Sequence, residues 1–197
     1  RINTHGIDCE IINHDKSEHK EKITAENNQE TFGNLSSLLK CFEVAKKDQS
    51  DLIYFVEDDY LHYEHSLVDM LNTYERVSSQ HKDEIIVCPS DYPFNYMNNE
   101  KTNILIGSQQ HWRTITKMLC TFMISKKMFQ KHIDSFEKTC EKRHEPFEKY
   151  LNKILESEIG ISPIKSLAIH MTNVNSSYGL SPFIDIKKLW EENKIDQ

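Results

Sequence analysis

Hydrophobic positions along the chain fall into short runs separated by charged stretches, and their spacing changes from segment to segment. Leu35, Leu38, Leu39, Phe42 and Ala45 recur at intervals of three and four, which predicts an amphipathic helix over 34–47. Leu52 to Val56 is a continuous apolar run with β-branched and aromatic members, the pattern of a buried strand. Leu67, Met70, Leu71 and Tyr74 place one apolar face on a helix over 66–79. Residues 84–89 read as a short strand stopped by Pro89, and 102–107, 118–124 and 164–169 as further strands. Helices are predicted over 126–138, over 147–155 from near Pro146, and over 185–192. Residues 7–12 alternate imperfectly, as a strand would on its way into the polar residues 13–15. Residues 16–30 carry almost no apolar position and read as a solvated loop, mobile helix or flap, while 108–116 is polar around Trp112. Strands alternating with helices predict an α/β chain with a mostly parallel sheet, and 197 residues fit one domain spanning 1–197.

Composition narrows the choice. A net charge of −7 argues against a surface that neutralises a nucleic-acid backbone, though a small phosphate pocket needs only a few local cations. No apolar run reaches the roughly 18 residues of a membrane span. The five cysteines, Cys9, Cys41, Cys88, Cys120 and Cys140, are scattered and odd in number, which favours a reducing, cytoplasmic setting over a disulfide framework. The chain opens at Arg1 without a signal-peptide pattern and reads as an excerpt of a longer polypeptide that lacks part of its opening element.

The sharpest chemical feature is Glu57-Asp58-Asp59, delivered directly by the apolar run 52–56. Carboxylates so close repel one another unless a cation shares them, and a hard divalent ion with oxygen ligands does this well. Open α/β sheets place ligand sites at such strand ends. The plainer reading is that the three acids cap a helix beginning near Tyr60.

The acidic triplet resembles the Asp-X-Asp-type signature of nucleotide-sugar-dependent glycosyltransferases of the GT-A fold, family-2-like. The resemblance extends upstream through Thr31–Lys46, downstream through Thr121–Phe129, and to a late histidine in Ala168-Ile-His170-Met-Thr-Asn173. It covers roughly residues 7–175 and implies a Rossmann-related α/β/α sandwich. It also implies transfer of a sugar from a nucleotide-diphosphate donor to a hydroxyl of a glycan or sugar acceptor, with Mn2+ or Mg2+. Asp59 is the implied metal ligand and His170 a second one; an imidazole in the shell tilts the choice toward manganese. Glu57 departs from the family's first Asp and is long enough to reach a ribose or a metal-bound water, and Asp58 takes the variable middle position. Asp15 matches an acid that contacts the nucleobase or ribose, with a simple polar cap as the rival reading. Thr172, Asn173 and Asn175 are candidate phosphate holders and residues 176–179 a turn that closes over the donor, with an ordinary surface loop as the rival reading and, for His170, a hydrogen-bonded structural role.

For the base that deprotonates an acceptor in an inverting enzyme, the resemblance points to Glu145, with Glu148 behind it, and Asp91 is the rival. Glu145 before Pro146 equally suits a helix start. Tyr92, Phe94 and Tyr96, beside Asp91, form a candidate sugar-stacking surface, or local packing. Trp112 offers a flat face and Arg113 a bidentate partner for a diphosphate; an indole buried in the core under the arginine is the quieter account. Two other classes stay open. A metal-dependent nucleotidyltransferase ordinarily carries a glycine-rich loop, and the five glycines here do not cluster. A non-catalytic carbohydrate-binding domain on a degenerate transferase fold differs in lacking donor hydrolysis.

Overall fold

The computed structural model describes residues 10–23, 28–97, 99–175 and 180–194. Helix α1 spans Gln29–Lys47 and starts ahead of its apolar periodicity because Asn28 caps it, accepting from the backbone N–H groups of Glu30 and Thr31. The buried face is the expected one, with Leu35, Leu39, Phe42 and Ala45 inside. At its far end the Lys126 ammonium donates to the carbonyls of Ala45, Lys46 and Asp48 at 2.6, 3.0 and 2.6 Å, satisfying groups that a helix terminus leaves open.

The chain then forms β1 (Leu52–Phe55), β2 (Tyr60–His62), α2 (Ser66–His81), β3 (Ile85–Val87), β4 (Ile104–Ile106), β5 (His111–Ile115) and β6 (Phe122–Ser125). It ends with α3 (Lys126–Lys131), α4 (Ile133–Cys140), α5 (Lys149–Ile154), β7 (Ile159–Pro163), β8 (Ala168–His170) and α6 (Ile186–Asn193). Six strands make one sheet in the order β1-β6-β3-β7-β5-β4, and β2 pairs with β8 in a separate ribbon.

The α/β class holds; the mostly parallel sheet does not. Only β3 and β7 pair in parallel, and the other four neighbouring pairs of the main sheet are antiparallel. The reason is local: β6 inserts between β1 and β3 running against both, and β4 and β5 form a hairpin closed by Gly107 N–H to Gln110 C=O at 2.9 Å. Helices cover both faces. On one, Phe42 of α1, Phe136 of α4 and Leu151 of α5 pack with Phe55, Phe122 and Ile124. On the other, Met70 and Val77 of α2 meet Ile85, Val87, Trp112 and Met123.

Other expectations change for identifiable reasons. On α2 the polar Asp69 and Thr73 are buried while Leu67 and Leu71 are exposed, because Asp69 accepts the backbone N–H of Gln109 and the side-chain amide of Gln110 and so closes the β4–β5 turn. The polar segment around Trp112 is strand β5, whose alternation sends Trp112 to the α2 face and Arg113 to the opposite one. Strand β7 is masked in the sequence by Gly160 and Pro163; a Cβ at Gly160 would lie 2.4 Å from Leu155 Cδ2, so a side chain there would have to displace that leucine. The predicted helix over 126–138 is broken at His132 into α3 and α4. Of the strand expected over 7–12, residues 7–9 lie outside the described residues and 10–15 carry no regular structure; a 3-10 helix, Lys16–His19, follows.

Candidate functional site

Because β6 runs against β1, its first residue stands beside the last residue of β1, Phe122 opposite Phe55. That register brings Thr121 to the point where the acids leave the sheet: the Glu57 N–H donates to Thr121 Oγ1 at 3.0 Å, and the threonine hydroxyl reaches Glu57 Oε2 at 3.4 Å. The chain then turns through Asp58 and Asp59 into β2, so the helix-capping alternative for these acids fails: Tyr60 opens a strand.

The β2–β8 ribbon supplies the partner. Tyr60 is in register with His170, and Asp59 C=O accepts the N–H of Met171 at 2.9 Å. His170 Nε2 lies 2.7 Å from Asp59 Oδ2, and its Nδ1 lies 2.9 Å from the hydroxyl of Thr172. The imidazole stacks on the Tyr60 ring at 4.8 Å between centroids and 15° between planes. Tyr60 is in turn fixed by a 2.8 Å hydrogen bond to the hydroxyl of Tyr92, which stacks on Phe94. Asp59 and His170, far apart in the chain, are therefore set against each other by backbone pairing and by an aromatic column.

Glu57 is half-buried, and its carboxyl is pushed up to about 7, first by burial and then by the charge of Asp59, with Glu148 and Asp58 adding to the effect against the Thr121 hydrogen bond. Glu148, the residue before α5, is also raised by burial and by Glu145, while His170 pulls it the other way. Glu57, Asp59, His170 and Glu148 thus share one electrostatic field at one edge of the sheet. Asp58 is exposed.

A carboxylate oxygen and an imidazole nitrogen are both capable metal ligands. Among the described residues no three His, Cys, Asp or Glu side chains group to hold a metal. Asp59 and His170 are thus a pair, not a complete ligand set.

The remaining predicted residues lie elsewhere or do other work. Asp91 is a buried anchor: Arg113 pairs with its Oδ1, and the hydroxyls of Tyr96 and Ser181 donate to Oδ2 at 2.6 and 2.5 Å. Three donors leave it poorly suited to take a proton from a substrate. Arg113 is committed to Asp91 and to the face of Tyr96, 4.2 Å from the ring centroid, and is not free to bind a diphosphate at Asp59. Trp112 is fully buried, so it presents no face to a sugar; Gly107 packs so tightly on it that a Cβ there would meet the indole at 2.2 Å. Tyr92 is buried too, and Tyr96 is exposed. Asp15 is exposed and caps the 3-10 helix by accepting the Ser17 N–H at 2.9 Å, an interaction that lowers its carboxyl's pKa. Glu145 is exposed, while Glu148 is half-buried and near enough to Glu57 and His170 for their charges to act on one another. Asn173 is partly exposed, the side chain of Asn175 and the turn 176–179 lie outside the described residues, and no role is assigned to them.

Two large clefts, of about 660 and 610 Å3, lie along β1 without containing Glu57, Asp58 or Asp59. The first lies at the other end of β1, around Asp51, Tyr74 and Glu84; the second runs along the free edge of β1 and reaches Val56, next to Glu57. Sequence reading assigned no role to Thr121 or Tyr60, because both act through non-local pairing that leaves no local pattern.

Comparison of the sequence with models of known protein families finds no match, and comparison with curated proteins finds none either. None of the described helices is long and apolar enough to cross a membrane.

Proposed function

We propose that the chain is a metal-dependent glycosyltransferase domain that moves a sugar from a nucleotide-diphosphate donor to a hydroxyl acceptor. The observation that carries this reading is the 2.7 Å approach of His170 to Asp59 at the end of β1, beside two carboxyls that burial pushes up. Asp59 and His170 would hold Mn2+ or Mg2+, whose contribution is to neutralise charge developing on the departing diphosphate. Tyr60 and Thr172 orient the imidazole, one by stacking on it and the other through Nδ1. Thr121 fixes the backbone and the carboxyl of Glu57. Glu148 replaces Glu145 and Asp91 as the candidate base for an inverting reaction: it is half-buried, faces the same edge, and a carboxyl raised by burial is a better proton acceptor near neutral pH.

The test is calorimetric titration of the protein with UDP and GDP, with and without Mn2+. Metal-dependent binding of one nucleotide, weakened about 100-fold or more in Asp59→Ala, is the expected result. Binding of neither nucleotide to folded protein with Mn2+ present would sink the proposal.

A further inference from the structure

Residues 14–23 are fastened to α1 by a chain of polar side chains that takes no part in the acid edge. His14 Nε2 lies 2.7 Å from Ser36 Oγ, the same hydroxyl lies 2.9 Å from His19 Nδ1, and His19 Nε2 lies 3.1 Å from Glu43 Oε2. Lys22 donates to the other Glu43 oxygen, and Lys40 of α1 reaches back to Glu18 at 3.2 Å. The two imidazoles stand 4.8 Å apart, with the side chains of His14 and His19 only 10% and 2% exposed.

Counting protons along this chain exposes one gap. Partial burial raises the Glu43 carboxyl, but hydrogen bonds from Lys22 and His19 outweigh it and hold the group down at about 2. Glu43 therefore only accepts, and His19 Nε2 carries a hydrogen. In a neutral His19, Nδ1 is then bare and takes the Ser36 proton, for which the Lys16 carbonyl at 3.3 Å is the longer alternative. One serine proton cannot serve two bare ring nitrogens, so His14 Nε2 donates to Ser36. A neutral His14 is left with a bare Nδ1, which is buried and has no hydrogen-bond partner. The nearest carboxylate oxygen, Glu18 Oε2 at 3.9 Å, is an acceptor as well. Only a proton on His14 Nδ1 leaves no buried acceptor of the ring unmet. The charged groups around the rings are Asp15, Glu18 and Lys22 of their own segment and Lys40 and Glu43 of α1. Across the cleft β1 presents Leu52, Ile53, Tyr54 and Phe55, and the Tyr54 hydroxyl is taken by His62 at 2.5 Å. Asp15 and Glu18 favour a cationic His14; burial and Lys40 oppose it, and the ammonium of Lys40 is itself paired with Glu18.

We infer that His14 is a proton-operated latch: with Nδ1 protonated it fastens residues 14–23 to α1, and with a neutral ring it lets them loosen. The fastened segment binds more protons than the loosened one, so fastening weakens as pH rises through about 5 to 8, where histidine changes charge. Ile12 and His14 also line the cleft along the free edge of β1, so the latch governs whether that cleft keeps one of its walls. The latch is independent of the Asp59 site and of the glycosyltransferase reading.

Amide hydrogen exchange of the protein across about pH 5.5 to 8.5, corrected for the intrinsic rate at each pH, tests this. Protection over residues 16–23 is expected to fall about ten-fold more than protection in α2 as the pH rises. His14→Gln, which can still donate to Ser36 but takes up no proton, should abolish that difference, and Glu18→Gln should reduce it to about three-fold. Should His14→Gln loosen the segment at every pH, the 15N shifts of the wild-type imidazoles decide: His14 Nδ1 is expected to gain its proton over the range in which protection rises. A difference that persists in His14→Gln, protection that stays level with pH in the wild type, or a His14 Nδ1 still bare at about pH 5.5 overturns the inference.

Discussion

Two strands of this sheet end in acids, and the two ends treat them oppositely. Beyond β1, Glu57, Asp58 and Asp59 gather with one histidine and, among the described residues, no arginine or lysine in an ion pair with them, and Glu57 rises to about 7. Beyond β3, the single acid Asp91 is more deeply buried but meets a guanidinium and two hydroxyls. Burial alone pushes both carboxyls up; at Asp91 Arg113, Tyr96 and Ser181 pull back, and at Glu57 the neighbouring acids add to the rise. An acid completed by its neighbours is scaffold, whereas an acid whose pKa is raised by burial and by neighbouring acids marks a candidate functional site.

The contrast predicts different consequences when each acid is removed. Asp91→Ala leaves Arg113 buried without its counter-charge and should destabilise the protein by about 3–5 kcal/mol in urea unfolding. Asp59→Ala should change stability by under about 1 kcal/mol while removing metal-dependent nucleotide binding. Similar stability losses in the two variants would dissolve the distinction.

A pH series sharpens it. The folded pKa of Glu57 lies above its unfolded value, so the folded state binds more protons between them. Its contribution to stability is fully present below about pH 4.5 and falls as pH rises through about 7, by about 1–2 kcal/mol once its partial exposure is discounted. Glu57→Gln should flatten that part of the pH profile, and Mn2+ should restore stability to the wild type at pH 8. A slope that persists in Glu57→Gln would assign it to another group. The smallest effect is expected at the scaffold's periphery: Ser181→Ala removes one of three donors to Asp91 and should cost about 1 kcal/mol, visible as faster proteolysis of the segment near residue 181.

Much of this architecture was legible in the chain. Helices α1 and α2, strand β1 and the acids beyond it follow from apolar spacing and from carboxylates set against a buried run. The sheet's sense did not follow, because β6 and β5 return antiparallel through pairings that no local pattern encodes. Arg113 and Trp112 looked like ligand-binding residues on composition, yet the alternation of β5 commits one to Asp91 and the other to the core. His170 was legible as a candidate, but Thr121 and Tyr60, which set the Glu57 and His170 geometry, became visible only with the registers of β1 against β6 and β2 against β8.

The β2–β8 ribbon has a consequence for the order in which the molecule is made. All six strands of the main sheet have emerged once Pro163 is synthesised, whereas the partner of Asp59 arrives only with β8. The sheet can close before its acid edge is complete, so the scaffold folds on early contacts and the site waits for a late one. A nascent chain halted before Ala168 would carry all six strands of the main sheet and three acids beyond β1, without the histidine that meets Asp59.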